Sequence, residues 1–279
     1  MIGVIDVGGG LRGSYGAGVF DWCMEYGIEF DYGIGVSAGS ANVASYLGHQ
    51  KGRNYVFYMD YMSRPQYMGF HSLLKTGSYV GLEYIYGDLS DSWGAYPLNW
   101  KGILDNPAEY RIVATNANTG KPVYFDKTSM KQDDYCAIKA SCNVPIVDRP
   151  FYVDGVPYYD GGMSDPIPYK KALADGCDRL VVILTRPKDE IRKADKDEKF
   201  AKLLEKKFPE AARSLRTRSL VYNDQKAELI EMEKQGNVLI IAPDSIGHMR
   251  TLNKEKNDIR ELYIKGYRDA RAIRDFLKK

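Results

Sequence analysis

Residues 28–47 read IEFDYGIGVSAGSANVASYL, and within them Gly35, Val36, Ser37, Ala38 and Gly39 form a GxSxG. The pattern fits a sharp strand-to-helix turn with the serine at its apex. Gly35 and Gly39 suit that turn because a side chain at either would collide with the strand or helix beside it. Upstream, Ile34 belongs to a short apolar stretch. Downstream, Ser40, Ala41, Ala44 and Ser45 are small enough to let a helix approach a sheet closely. This is the setting of a nucleophile elbow, although in a glycine-rich chain the same five residues also read as a plain turn.

Toward the N-terminus, residues 2–7 (IGVIDV) form a short apolar run closed by glycines, the pattern of a buried strand. Gly8, Gly9, Gly10, Leu11, Arg12 and Gly13 follow. Ala17, Phe20 and Met24, with Val19 and Cys23 alongside, then have the spacing of a helix packed on a sheet. A glycine-rich link of this kind presents backbone N–H groups beside the positive end of a helix and so holds an anion. One such anion is a dinucleotide pyrophosphate, because Gly8, Gly10 and Gly13 satisfy GxGxxG and Glu29 falls near the expected acidic position. A transient oxyanion is the other. The segment IEFD is too short for a clean second strand ending at its acid, and it runs straight into the GxSxG. Two glycine turns at one edge of a parallel sheet, one offering donors and one a hydroxyl, suit acyl transfer.

Further along, residues 50–105 are rich in Tyr, Met and Phe. They read either as ordinary core or as an apolar pocket or lid able to receive a hydrocarbon chain. YRIVAT (110–115) and PVYFD (122–126) flank NANTGK, a strand–turn–strand. ASCNVP (140–145) follows a short helix. In FYVDGVPYYDGG (151–162), Asp154 and Gly155 supply a tight hairpin turn, and Asp160 ends the second strand before Gly161 and Gly162. RLVVILT (179–185) and NVLIIA (237–242) predict two more strands. The charged stretch 186–234 predicts solvated amphipathic helices, and Ile259 to Leu277 one long closing helix.

Composition narrows the function. A net charge of +2 over 279 residues argues against a nucleic-acid footprint. The four cysteines, Cys23, Cys136, Cys142 and Cys177, lack CxxC spacing and read as free thiols of a reducing compartment. With three histidines (His49, His71 and His248) and no calcium-loop spacing, no metal is expected. MIGVIDVGGG carries no signal-peptide pattern and no apolar run approaches a membrane span, so the expectation is a cytoplasmic protein.

With GGGLRG at 8–13, GVSAG at 35–39, ASCNVP at 140–145 and DGG at 160–162, in that order, the chain resembles the patatin-like phospholipases. The resemblance covers roughly residues 1–186. It implies a three-layer α/β/α fold with a mostly parallel central sheet, a catalytic core over 1–186 and a helical C-terminal extension over 187–279 packed on the same domain. It further implies a Ser–Asp dyad cleaving lipid acyl esters without a cofactor, as a phospholipase A or lysophospholipase. Ser37 matches the nucleophile and Asp160 the base. The amides of Gly8, Gly9, Gly10, Leu11, Arg12 and Gly13 match the oxyanion hole, while Gly35, Gly39, Gly161 and Gly162 support the two turns. The substrate brings with it a transient contact with a membrane surface, peripheral rather than spanning. Asp165 departs from the family, which more often has Asn there. Ser37, Asp160 and His248 also fall in the order of a Ser…Asp…His triad, but the elbow arrives too early in the chain for the fold that carries one. A lipid-binding or regulatory protein with little turnover, and a dinucleotide binder using the GxGxxG, are the other readings.

Overall fold

The computed structural model describes residues 1–194, 197–249, 251–252 and 254–278. β1 (Ile2–Asp6) leads through a 3-10 turn at Gly10–Gly13 into α1 (Ser14–Glu25), and β2 (Tyr32–Val36) leads through Ser37 into α2 (Ala38–Leu47). Three short helices follow, α3 (Arg53–Met59), α4 (Phe70–Thr76) and α5 (Trp100–Asp105). Next come β3 (Glu109–Asn116), β4 (Pro122–Phe125), α6 (Cys136–Ser141), β5 (Phe151–Val153), β6 (Val156–Asp160), α7 (Tyr169–Ala174) and β7 (Arg179–Ile183). The chain ends with α8 (Asp197–Glu205), α9 (Pro209–Lys234), β8 (Val238–Ile241), α10 (Lys256–Asp269) and α11 (Arg271–Leu277).

The strands form one sheet in the order β5-β6-β3-β2-β1-β7-β8, with β4 paired to β3 outside that path. Pairing is parallel from β3 through β2, β1 and β7 to β8, and antiparallel where β4 and β6 meet β3 and in the β5–β6 hairpin. Asp154 and Gly155 both take positive φ (49° and 77°), as a two-residue hairpin turn requires.

Alternation along the strands separates two cores. Ile5, Tyr32, Ile34, Val36, Leu180 and Val182 face one side and pack with Tyr169 of α7 and with Tyr222 and Leu229 of α9. Val4, Val181 and Ile183 face the other, against Phe20 of α1, Leu47 of α2 and Leu262 of α10. Helices therefore cover both faces, the three layers of an α/β/α fold. On β2 the residues facing α2 are Gly33 and Gly35. A Cβ on Gly33 would lie 2.7 Å from Val43 Cγ1, and one on Gly35 would run into the backbone of Ser40. The missing side chains let α2 lie directly on the sheet.

Most apolar residues of the 50–105 region, among them Phe57, Met62, Met68, Leu82, Trp100 and Ile103, belong to the α1–α2 core. Phe70, Leu74 and Trp93 stay exposed. Two helical expectations change. The charged 186–234 stretch is more than a solvated layer, because α9 buries Ala211, Leu215, Tyr222 and Leu229 along one stripe against the sheet. The closing helix divides at Ala270, where Ile273 N–H reaches back only three residues to Ala270 O (2.9 Å) and turns Ile273 and Phe276 into the core. Among the described residues no helix is long and apolar enough to cross a membrane.

A close backbone approach joins β1 to α2: a Cβ on Gly39 would strike the carbonyl of Asp6. Gly39→Ala is expected to cost about 1–3 kcal/mol or more in urea unfolding. Gly87→Ala, whose new methyl finds its nearest neighbour at 3.6 Å, should be neutral or stabilising by up to about 1 kcal/mol. Equal stability for the two variants would contradict the β1–α2 contact.

Candidate active site

Ser37 sits between β2 and α2 with φ 56° and ψ −133°, a strained conformation for a residue with a side chain. Three neighbours hold it there. Its N–H donates to Ser141 Oγ (2.8 Å), its carbonyl accepts from Ser40 Oγ (2.7 Å), and Tyr110 donates to the Ser40 carbonyl (2.6 Å). The residue is buried, 8 % exposed.

Asp160 ends β6 and is held through its backbone and through Oδ1. Its N–H donates to Asn143 O (2.8 Å), its carbonyl accepts from Thr115 Oγ1 (2.8 Å), and its Oδ1 accepts from Gly162 N–H (2.8 Å). The Ser37 hydroxyl lies close enough to the carboxylate to lower its pKa, in a looser arrangement than a full hydrogen bond, as is common in unliganded sites. Burial outweighs this and holds the Asp160 carboxyl above the usual carboxylate range. Ser37, Gly162 N–H, Arg218 and Arg192 oppose the shift. Gly161 is required because a Cβ there would meet Val113 O, while one on Gly162 would press within 3.1 Å of Asp160 Oδ1.

The glycine loop runs beside the elbow: a Cβ on Gly8 would collide with Val36 O and come within 2.7 Å of Gly39 N. Gly8, Gly9 and Gly10 all take positive φ (62°, 119° and 61°). Of the six amides expected to face an oxyanion, that of Gly8 donates to Asp6 Oδ1 (2.8 Å) and that of Leu11 to Thr251 O (2.9 Å). Arg12 and Gly13 lie within the 3-10 turn. The amides of Gly9 and Gly10 have no acceptor among the described residues, and they are the pair open to a developing negative charge.

Three residues escaped the sequence reading: Asp6, Ser141 and Asn143. Asp6, fully buried, accepts from Gly8 N–H and from Asn42 Nδ2 (2.8 Å each). Burial raises its pKa to about 6, against those two donors. An acid at the end of an otherwise apolar strand was the signal that could have found it. Ser141 and Asn143 lie in ASCNVP, where the motif was visible and the task was not: one braces Ser37, the other Asp160. Asp165 accepts from Tyr124 OH and Gln225 Nε2 (2.6 Å each), which ties the Asp160 turn to α9.

The remaining candidates stay apart from this pair. His49, His71 and His248 are all exposed, and none bonds to Ser37 or Asp160 among the described residues. Glu29 lies exposed ahead of β2, so no acid stands at the end of β2 for a ribose. Cys23, Cys136, Cys142 and Cys177 are free thiols. No group of three or more metal-ligating side chains occurs among the described residues. A shallow cavity of about 390 Å³ along α10, lined by Glu261, Ile264, Lys265, Arg268 and Asp269, holds none of the groups above.

A family model described as Patatin-like phospholipase matches residues 7–173, and one described as Domain of unknown function (DUF6363) matches residues 208–279. The chain is similar to Uncharacterized protein YjjU of Escherichia coli (strain K12), 29% identical over 188 residues, which cover 67% of this chain and 52% of that protein. It is also similar to the crystal structure of VipD from Legionella pneumophila, with a TM-score of 0.51 and 14% identity over 98% of this chain and 66% of that one. The chain thus spans about half the length of the curated relative. The likeness to VipD concerns the fold.

Ser141→Ala would leave the buried Ser37 N–H without its acceptor. A stability loss of about 1–3 kcal/mol in urea unfolding is expected. Wild-type stability would mean that Ser141 does not hold the elbow.

Proposed function

The chain belongs to the patatin-like phospholipase family, and from that premise we propose that it hydrolyses lipid acyl esters, as a phospholipase A or lysophospholipase, through Ser37 and Asp160. The observation that carries this reading is the meeting of a strained serine on a strand-to-helix turn with an immobilised carboxylate from a distant strand. As Ser37 Oγ attacks the ester carbonyl, Asp160 accepts its proton. The carbonyl oxygen gains negative charge and draws on the Gly9 and Gly10 amides as donors. Asp160 then returns the proton to the departing alcohol. Water enters and loses a proton to the same carboxylate, which passes it to Ser37 Oγ as the fatty acid leaves.

An aspartate is a weak base at neutral pH. Burial raises the Asp160 pKa and so strengthens it as a base. The catalytic core is taken as residues 1–186, with 187–279 packed on the same domain. In support, β8 pairs with β7, and α10 meets α1 through the Tyr15–Asp269 (2.7 Å) and Tyr263–Asp21 (2.6 Å) hydrogen bonds. A cytoplasmic location and a passing contact with lipid surfaces complete the proposal.

An ester screen across acyl lengths, run beside variants, tests it. Ser37→Ala should lose about 10⁴-fold or more in kcat/KM, and Asp160→Asn about 10²- to 10⁴-fold. His248→Ala should retain most activity, and its loss with the fold intact would replace the dyad by a triad. Because the base must be ionised, kcat/KM should rise with pH through a single limb set by Asp160, above the ordinary aspartate value of 3.8. A further limb in the histidine range that His248→Ala removes would contradict the assignment.

A further inference from the structure

Arg12 is 6 % exposed, and among the described residues its Nε has no hydrogen-bond partner. One guanidinium nitrogen donates to Thr251 Oγ1 (2.9 Å), and the other lies against Gly9, where a Cβ would come within 2.9 Å of it. Tyr222, on α9, is 4 % exposed, and its hydroxyl is likewise buried and unpartnered among the described residues. Arg192 stacks on the Tyr222 ring, with Cζ 5.6 Å from the centroid. Its backbone is clamped from both sides by Asn223, which accepts from Arg192 N–H and donates to Arg192 O (3.0 Å each). Arg186, just beyond β7, pairs with Glu190.

Three guanidinium groups thus act on one another beside the glycine loop, with Glu190 paired to Arg186 and Asp197 acting on Arg192. Burial, then repulsion from Arg186 and Arg192, lowers the Arg12 pKa to about 9. Burial, with repulsion from Arg218 and Arg186 and relief from Asp197, brings that of Arg192 to about 10. Arg218, by contrast, is neutralised by two bonds to Asp197 (2.5 and 2.6 Å). Buried cations without counter-charge are costly, and two unpartnered buried donors add to that cost. An anion with several acceptor oxygens would satisfy the whole group, and a guanidinium fork matches phosphate geometry.

We propose that Arg12, Arg186, Arg192 and Tyr222 form a phosphate subsite beside the glycine loop, which receives the phosphate of a lipid head group while the ester carbonyl lies over Ser37. Arg12 and Tyr222 form its floor and the half-buried Arg186 and Arg192 its rim. In a glycerophospholipid the phosphorus is only a few bonds from the ester carbonyl, so the subsite and Ser37 would engage one molecule together. This specificity role rests on the hydrolase reading above, whereas phosphate binding itself does not. The subsite also gives 187–279 a part in substrate choice, since Arg192 and Tyr222 both lie there.

Two measurements on the full chain test the proposal. The first is calorimetric titration of inorganic phosphate into Ser37→Ala protein, alone and with Arg192→Gln, Arg192→Lys or Tyr222→Phe added. Saturable binding is expected, weakened about tenfold to a hundredfold by Arg192→Gln, less by Arg192→Lys and measurably by Tyr222→Phe. The second compares kcat/KM for dihexanoylphosphatidylglycerol and p-nitrophenyl hexanoate in proteins that keep Ser37. Arg192→Gln should lower the phospholipid-to-ester ratio about tenfold or more. Weakened phosphate binding with an unmoved ratio would keep the subsite and assign it to free phosphate. No phosphate binding, or binding indifferent to Arg192 and Tyr222, would overturn it. Should Arg192-dependent phosphate binding persist in a chain that cleaves neither ester, the hydrolase reading falls and the subsite stands.

Discussion

The contact on which the rest depends is a backbone junction without side chains. Gly8 of the glycine loop lies against the carbonyl of Val36, Gly39 against that of Asp6, and Gly35 against Ser40. Three elements, the end of β1, the end of β2 and the start of α2, meet there at distances that no Cβ would permit. Because they meet, Gly8 of the glycine loop stands against the turn that carries Ser37.

Around this junction the polar groups are held rather than merely placed. Asp6 ties the loop to α2 through Gly8 N–H and Asn42. Ser141 and Asn143, two residues apart, each reach one partner of the pair, Ser37 and Asp160. A short apolar helix and the turn after it therefore set the distance between two side chains that come from opposite regions of the chain. Such bracing suits a carboxylate that has to accept a proton without moving, since reorganisation at the moment of reaction adds to the barrier.

The fold, and the placing of the candidate pair Ser37 and Asp160 at strand ends, were legible in the sequence for local reasons. Glycines punctuate turns, alternation marks strands, and GVSAG and DGG lie directly at strand ends, so the β1–α1 and β2–α2 units, the β5–β6 hairpin and the two later parallel strands followed from short windows. What could not be read depends on distant partners. GGGLRG names a loop, but which of its amides stay open is decided by Asp6 and by Thr251, far along the chain. ASCNVP looked like a helix end, and its bracing role exists only because Ser37 lies 104 positions away in sequence. The buried stripe on α9 was hidden by the charged residues between Ala211, Leu215, Tyr222 and Leu229. A charge run and a half-buried helix have the same composition, and only the face turned to the sheet distinguishes them.

The central claim is a single geometry, Ser37 Oγ beside Asp160 with the Gly9 and Gly10 amides aimed at one oxygen. Its most direct test is a crystal structure of the protein after reaction with an alkyl fluorophosphonate, which leaves a tetrahedral mimic of the reacting carbon on the nucleophile. The account predicts phosphorus bonded to Ser37 Oγ, with its phosphoryl oxygen about 2.7–3.1 Å from both amides and the Asp160 carboxylate facing the adduct. Phosphorus on another residue, or a phosphoryl oxygen turned away from the glycine loop, would contradict it.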